Sequence, residues 1–204
     1  MPPWRLIGSE DMSPTLRCFL AFDLPEEIRA VVKRVHGDLN KSPLDVRWVR
    51  PGNVHLTVVF LGNVAVDDLQ PLGEQVKAVC TKYGPFEIGL NGVGVFGGMK
   101  SPRVLWLGVE GDVERMGFFQ KAISKRIRPF GIKEEKRAFH PHLTLGRFRR
   151  GAHGGQVLRG LLERYSGLSS PVCTLEELTL FRSDLRSDGA KYTKIQSWPL
   201  EGKK

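Results

Sequence analysis

The chain of 204 residues has only three cysteines, Cys18, Cys80 and Cys173, odd in number, far apart and set in apolar runs. That spacing suits neither a disulfide framework nor a thiolate metal cluster, so reduced core thiols are expected. No stretch approaches the roughly 18 to 20 apolar residues of a membrane span, and the opening MPPWRLIGSEDMSPTLR lacks the continuous apolar segment of a signal peptide. A cytoplasmic location without membrane attachment is expected. Histidine is scarce at five residues; there is no His-Glu-x-x-His zinc pattern, and no Gly-x-Ser-x-Gly supplies a serine nucleophile. Gly92, Gly94 and Gly97 spell Gly-x-Gly-x-x-Gly, but Pro102 denies the helix that a dinucleotide fold places next, so a turn is expected. A near match to a phosphate-binding loop fails because Met99 separates Gly98 from Lys100.

What is present is a globular composition, 41% hydrophobic and 26% charged, sufficient for one large domain or two small lobes. The net charge of +9 is uneven. Between Arg115 and Arg164 stand 13 Lys or Arg against three acids, or +10, which leaves −1 for the rest. Such a segment is either a solvated face or the footprint of a polyanion such as RNA.

Hydrophobic periodicity predicts a strand at 17–22, then a helix opened by Pro25, Glu26 and Glu27 with Ile28, Val31, Val32 and Val35 on one face. A strand at 53–62, a helix capped by Asp67 with Leu69, Leu72, Val76 and Val79 on one side, and a strand at 86–96 complete a first half. The second half repeats the order: a strand at 103–109, a helix carrying Met116, Phe119, Ile123 and Ile127, and a strand around HLTLGRF. A helix near 156–165 and strands at about 172–182 and 191–198 follow. Residues 1–16 show no periodicity and contain a second methionine, Met12, so they read as a loose extension; 201–204 read as a tail.

Each half carries one word on its second strand, HLTV at 55–58 and HLTL at 142–145, separated by 87 positions (142 − 55). Strand alternation sends His55 and Thr57 to one face and Leu56 and Val58 to the other; His142 and Thr144 oppose Leu143 and Leu145 in the same way. If the lobes face each other, two imidazoles and two hydroxyls converge. A neutral imidazole removes a proton from an attacking oxygen, a protonated one serves the leaving oxygen, and threonine hydroxyls donate to phosphoryl oxygens. This chemistry requires no metal and no cofactor.

The paired words, with RCFLAFDLPEEIR, RWVRPGNVHLTVVFLGNV, PRVLWLGV, FHPHLTLGRF and LFRSDLRSDGAKYTKIQSWPL around them, resemble the 2H phosphoesterase superfamily. The flanking text is similar to its RNA 2',3'-cyclic phosphodiesterase branch, historically called 2'-5' RNA ligases. The resemblance implies an α+β fold, bilobal and pseudo-symmetric, with two antiparallel sheets lining a central cleft and helices outside. It spans a single domain at 17–200, with pseudo-repeats at about 17–96 and 103–182.

The implied activity is hydrolysis of RNA 2',3'-cyclic phosphate ends, tRNA fragments among them, to 2'-phosphates by a monomer, with 2'-5' ligation secondary. His142 would be the general base, His55 the general acid, and Thr57 and Thr144 would hold the phosphate. Arg147 matches a phosphate-binding arginine of the family. Strand parity, however, turns it to the opposite face from His142 unless the strand bends near Gly146. His140 shares the nominal face of His142 and is expected to orient it or serve structure. His36 and His153 are expected at the surface, and Phe19 in the core rather than stacked on a base. A phosphodiesterase of 2'-5' oligonucleotides or other small nucleotides, and a non-catalytic RNA-binding module, remain as alternatives.

Overall fold

The computed structural model describes residues 14–135, 137–187 and 189–203. In chain order the elements are β1 Thr15–Phe22, α1 Glu26–Leu39, β2 Val46–Trp48, β3 Leu56–Ala65, α2 Leu69–Cys80 and β4 Phe86–Phe96. They continue as β5 Val104–Gly111, α3 Val113–Ile127, β6 His142–Phe148, α4 Gly155–Arg164, β7 Cys173–Leu175, β8 Glu177–Arg186 and β9 Gly189–Pro199. The strands form an antiparallel sheet in the order β7-β4-β5-β6-β3-β1-β8-β9, with β2 added to β6. The fold is α+β: the sheet curls into a half-barrel and the helices lie outside it.

Two arms make up the sheet. β9-β8-β1-β3 is one and β6-β5-β4-β7 the other, and the only register pair joining β3 to β6 among the described residues is Leu56 with Leu143. Each arm draws on both halves of the chain. β4 leaves the first half to pair with β5, the next strand along the chain, and β8 returns to pair with β1. The sequence halves 17–96 and 103–182 therefore do not coincide with the arms.

Burial follows the periodicity. Ile28, Val31, Val32 and Val35 of α1, Leu72, Val76 and Val79 of α2, and Met116, Phe119, Ile123 and Ile127 of α3 are buried in one core. They meet Leu20, Phe22, Leu56 and Leu143 from the sheet. Several local details differ from the sequence reading. β1 begins at Thr15, within the stretch expected to be loose, because Thr15 and Leu16 pair with Ala65 and Val64; residues 1–13 lie outside the described residues. The N-cap position of α2 is Asp68, one residue beyond Asp67, after a short 3-10 turn at Val66–Asp68. The tail is held by hydrogen bonds from Glu201 N to the Cys80 carbonyl (3.4 Å) and Gly202 N to the Tyr83 carbonyl (3.0 Å).

The glycine-rich stretch serves the hairpin between β4 and β5. Gly97 has φ +96°, and a Cβ on Gly94 would lie 2.2 Å from the Trp106 ring, which rests on it. The three cysteines are free thiols, two of them buried; burial pushes Cys18 up to about 11 and Cys80 up to about 12, which keeps both protonated.

Candidate active site

The junction of the arms is where the two words meet. Leu56 pairs with Leu143, and continuing that antiparallel register sets His55 beside Thr144 and Thr57 beside His142. Leu56, Val58, Leu143 and Leu145 are buried, while His55, Thr57, His142 and Thr144 are half-buried on the opposite, concave face. The leucines thus anchor the junction to the core, and the polar groups stand around a pseudo-twofold centred on it.

Both imidazoles are held in the same way. His55 Nδ1–H donates to the Asn53 carbonyl at 2.8 Å, and His142 Nδ1–H donates to the His140 carbonyl at 2.7 Å. A carbonyl can only accept, so each neutral ring has its proton on Nδ1 and its lone pair on Nε2. His140 therefore orients His142 through its backbone. On the other side Asn53 does more, since its Nδ2 also donates to the Ala190 carbonyl at 2.7 Å and ties the turn before His55 to β9. Nothing in the sequence marks Asn53, because the group that holds His55 is a main-chain oxygen.

Aromatic rings complete each setting. Phe19 is 3% exposed and stacks on His55 with centroids 4.6 Å apart, Phe181 stacks on Phe19 at 5.2 Å, and Tyr192 stands edge-on to His55 at 5.2 Å. Phe96 stands edge-on to His142 at 4.9 Å, and the His140 ring packs against Phe96 and Trp106. Sequence reasoning placed Phe19 in the core but missed Phe181, Tyr192, Phe96 and Trp106, which lie on strands distant in the chain from the histidines they surround.

Burial lowers the pKa of both imidazoles, but their charged neighbours differ. For His55 the hydrogen bond to Asn53 and the Asp23 carboxylate oppose that lowering, while the charge of His142 reinforces it. For His142 the hydrogen bond to His140 opposes it, and the charges of His140 and Arg147 reinforce it. Among the described residues, a carboxylate, Asp23, thus acts on His55, whereas a guanidinium, Arg147, acts on His142. Burial works against Asp23 ionising, yet Lys194 at 2.7 Å, Arg29 and the Leu24 amide outweigh it and hold the carboxyl below its usual range.

Arg147 reaches this face because β6 contains a bulge. Leu105 pairs with Gly146 and Trp106 with Thr144, so Leu145 has no partner on β5. Leu145 and Gly146 are consecutively buried, the alternation resets, and Arg147 emerges on the side of His142 and Thr144. Its charge acts on His142 in its own arm and on Tyr192 in the other.

The remaining sequence candidates fall elsewhere. His36 is not at the surface: it is 8% exposed on the inner side of α1, edge-on to Trp48 at 5.3 Å, because β2 covers that end of the helix. His153 is exposed. Three cations of the basic segment have partners within the fold. Arg115 is bound to the Gly84 carbonyl at 2.9 Å and lies over Phe86, and Arg149 and Arg164 pair with Asp45 and Asp38. Among the described residues, no group of three or more His, Cys, Asp or Glu is disposed to hold a metal, and no helix is long and apolar enough to cross a membrane.

A concave antiparallel sheet with two imidazoles and two hydroxyls at its junction is the framework of a phosphoesterase. The LigT-like phosphoesterase family model matches the chain twice, at residues 22–106 and 112–192. The chain belongs to that family, the 2H phosphoesterases, and is a hydrolase. It is 33% identical over 185 residues to the RNA 2',3'-cyclic phosphodiesterase of Methanothermobacter thermautotrophicus, covering 91% of this chain and 99% of that protein. Among solved structures, a Thermus thermophilus protein superposes with a TM-score of 0.76 at 24% identity, over 93% of this chain and all of that one. Escherichia coli LigT complexed with 3'-AMP superposes with a TM-score of 0.72 at 25% identity, over 92% of this chain and 99% of that one.

Proposed function

We propose that the protein hydrolyses RNA 2',3'-cyclic phosphate ends to 2'-phosphates, with His142 as general base and His55 as general acid. The observation that carries this reading is the pair of imidazoles, each fixed through Nδ1 with Nε2 free, on either side of the Leu56–Leu143 junction. Displacement at phosphorus is in line, so attacking and leaving oxygens need a proton acceptor and a proton donor on opposite sides.

His142 Nε2 takes a proton from water as its oxygen bonds to phosphorus. The bond from phosphorus to the 3'-oxygen breaks, and His55 Nε2–H protonates that oxygen. Thr57 and Thr144 donate to the nonbridging oxygens, and Arg147 balances their charge. The direction of the roles is supported by the unequal neighbours: Asp23 favours a proton on His55, whereas Arg147 and His140 disfavour one on His142. With an RNA 5'-hydroxyl in place of water, the same displacement, which forms the 5'-oxygen–phosphorus bond and breaks the bond to the 3'-oxygen, joins a 2'-5' linkage, and tRNA fragments are substrates of either reaction. The site is built within one chain, so a monomer suffices, and proton transfer by imidazoles needs no cofactor.

The names of the relatives support this substrate class. The test is a panel of 2',3'-cyclic mononucleotides, cyclic-ended RNA and 2'-5' linked dimers, with products assigned by phosphorus NMR and each assay repeated in excess EDTA. Turnover of the cyclic ends to 2'-phosphates, undiminished by the chelator, is expected. Preferential cleavage of 2'-5' dimers would move the assignment to oligonucleotides, binding without turnover would leave an RNA-binding module, and loss on chelation restored by a divalent metal would overturn the mechanism.

A further inference from the structure

Where β2 joins β6, two charged cross-strand pairs stand next to each other, and only one is complementary. Arg149 donates its amide to the Asp45 carbonyl at 3.1 Å, and its guanidinium lies 3.5 Å from the Asp45 carboxylate. Two residues along, Arg47 is the register partner of Arg147. Directly opposite residues of an antiparallel pair project from the same face with Cβ atoms roughly 4.5 to 5.5 Å apart, and like charges so placed repel. Among the described residues, neither of these two guanidiniums has a carboxylate within salt-bridge distance, since Asp45 is taken by Arg149.

The alternation of β2 fixes which face this is. Val46 is buried and Trp48 packs on the core, so Arg47 between them turns the other way, to the concave face that Arg147 shares with His142 and Thr144. Arg47 is exposed there. Arg147 is the one of the two whose charge is felt at His142 and at Tyr192, so Arg47 stands farther from the imidazoles. Two free cations held face to face are relieved when anions come to them. A nucleic acid strand brings its phosphates in a row, each with a negative charge. The terminal nucleoside of a cyclic-ended RNA carries two: the cyclic phosphate across its 2' and 3' oxygens, and the phosphodiester on its 5' oxygen.

We infer that Arg47 holds the phosphodiester on the 5' oxygen of the terminal nucleoside, next to the cyclic phosphate held by Arg147. This rests on the phosphodiesterase reading above. It makes Arg47 the residue that distinguishes the end of an RNA chain from a free cyclic nucleotide. A guanidinium suits the place, because its planar fork can donate two hydrogen bonds to one phosphate.

The test is calorimetric binding of two probes, adenosine 2'-monophosphate and adenosine 2',5'-bisphosphate, to the wild type, Arg47→Gln and Arg47→Lys, with melting temperatures measured for each. The wild type should prefer the bisphosphate by roughly 5- to 30-fold, between what an exposed ion pair and a charge-assisted hydrogen bond contribute. That preference should shrink as salt rises. Arg47→Gln should abolish it while leaving the monophosphate within about twofold, and Arg47→Lys should keep part of it. The Gln variant should melt no lower than the wild type, because it removes a charge facing Arg147. A wild type without the preference, a Gln variant that retains it, or an equal loss for both probes overturns the inference; a lower melting temperature overturns the repulsion on which it stands. Because binding is read without turnover, failure of the hydrolytic reading appears separately, as absent cleavage of cyclic ends by a wild type that still prefers the bisphosphate.

Discussion

Substituting Gly146 by alanine probes the bulge that delivers Arg147. An ideal Cβ at Gly146 would lie 2.4 Å from Val46 Cγ1, 3.1 Å from the Arg47 carbonyl oxygen and 3.4 Å from Trp48 Cε3. Val46 is β-branched, stiff at χ1 and 8% exposed, so the strain cannot be relieved by one side chain turning away. β2 must retreat from β6, at a cost of about 1 to 3 kcal/mol for overpacking. For a chain of this size that corresponds to a fall in melting temperature of roughly 2 to 12 °C. Arg47 pairs directly with Arg147, so the retreat also moves the guanidinium, and KM for a cyclic-ended substrate should rise while kcat changes less. Gly117→Ala is the control. That glycine lies within α3 with nothing within 4 Å of an added Cβ, and the substitution should stabilise by about 0.5 to 1 kcal/mol. Thermal melts and steady-state kinetics on both variants decide it. Equal melting temperatures for the two, or a destabilised Gly146→Ala with unchanged KM, would refute the account of the bulge.

Three further outcomes follow from the same geometry. His55→Ala and His142→Ala should each lower kcat by about 10² to 10⁴; on an aryl phosphodiester, whose leaving group needs no protonation, only the His55 variant should recover. Equal rescue of both would sink the assignment of roles. The pH profile of kcat/KM should be bell-shaped and centred on the acid side of pH 6.5, because burial lowers both imidazoles: the base sets the acidic limb and the acid the alkaline limb. Asp23→Asn removes a charge that raises His55 and should move the alkaline limb down, Arg147→Gln removes one that lowers His142 and should move the acidic limb up, and a limb moving the other way contradicts the electrostatics. Finally, if the exposed cations of the segment from 115 to 164 engage the RNA backbone, longer cyclic-ended RNA should bind more tightly than a mononucleotide, and that advantage should shrink as salt rises. A salt-independent, length-independent KM would leave those residues as a solvated face.

Much of the molecule is local enough to be read from the chain. The apolar stripes of α1, α2 and α3 follow from a period of 3.6 residues, and the division of each word into an outer imidazole–hydroxyl pair and an inner leucine follows from a period of two. The repetition of that word is a property of the sequence alone, and it is the strongest pointer to the chemistry. Other features depend on residues that are distant in the chain and have no periodic signature. β2 has three residues, too few to show a pattern, yet it covers His36 and presses on Gly146. The parity that seemed to exclude Arg147 failed because one extra residue, Leu145, is absorbed between β5 and β6, and a bulge is visible only once two strands are paired. Phe19, Phe181 and Tyr192 come from three strands to form the setting of one imidazole. The two words are nearly identical as text, so their difference arises from what surrounds them: Asp23 near one ring and Arg147 near the other. The sequence determined which groups each word turns to one face, because side-chain chemistry and strand alternation are local. Tertiary structure alone decided which charges act on each imidazole, because electrostatic coupling depends on distances that only the folded arms set.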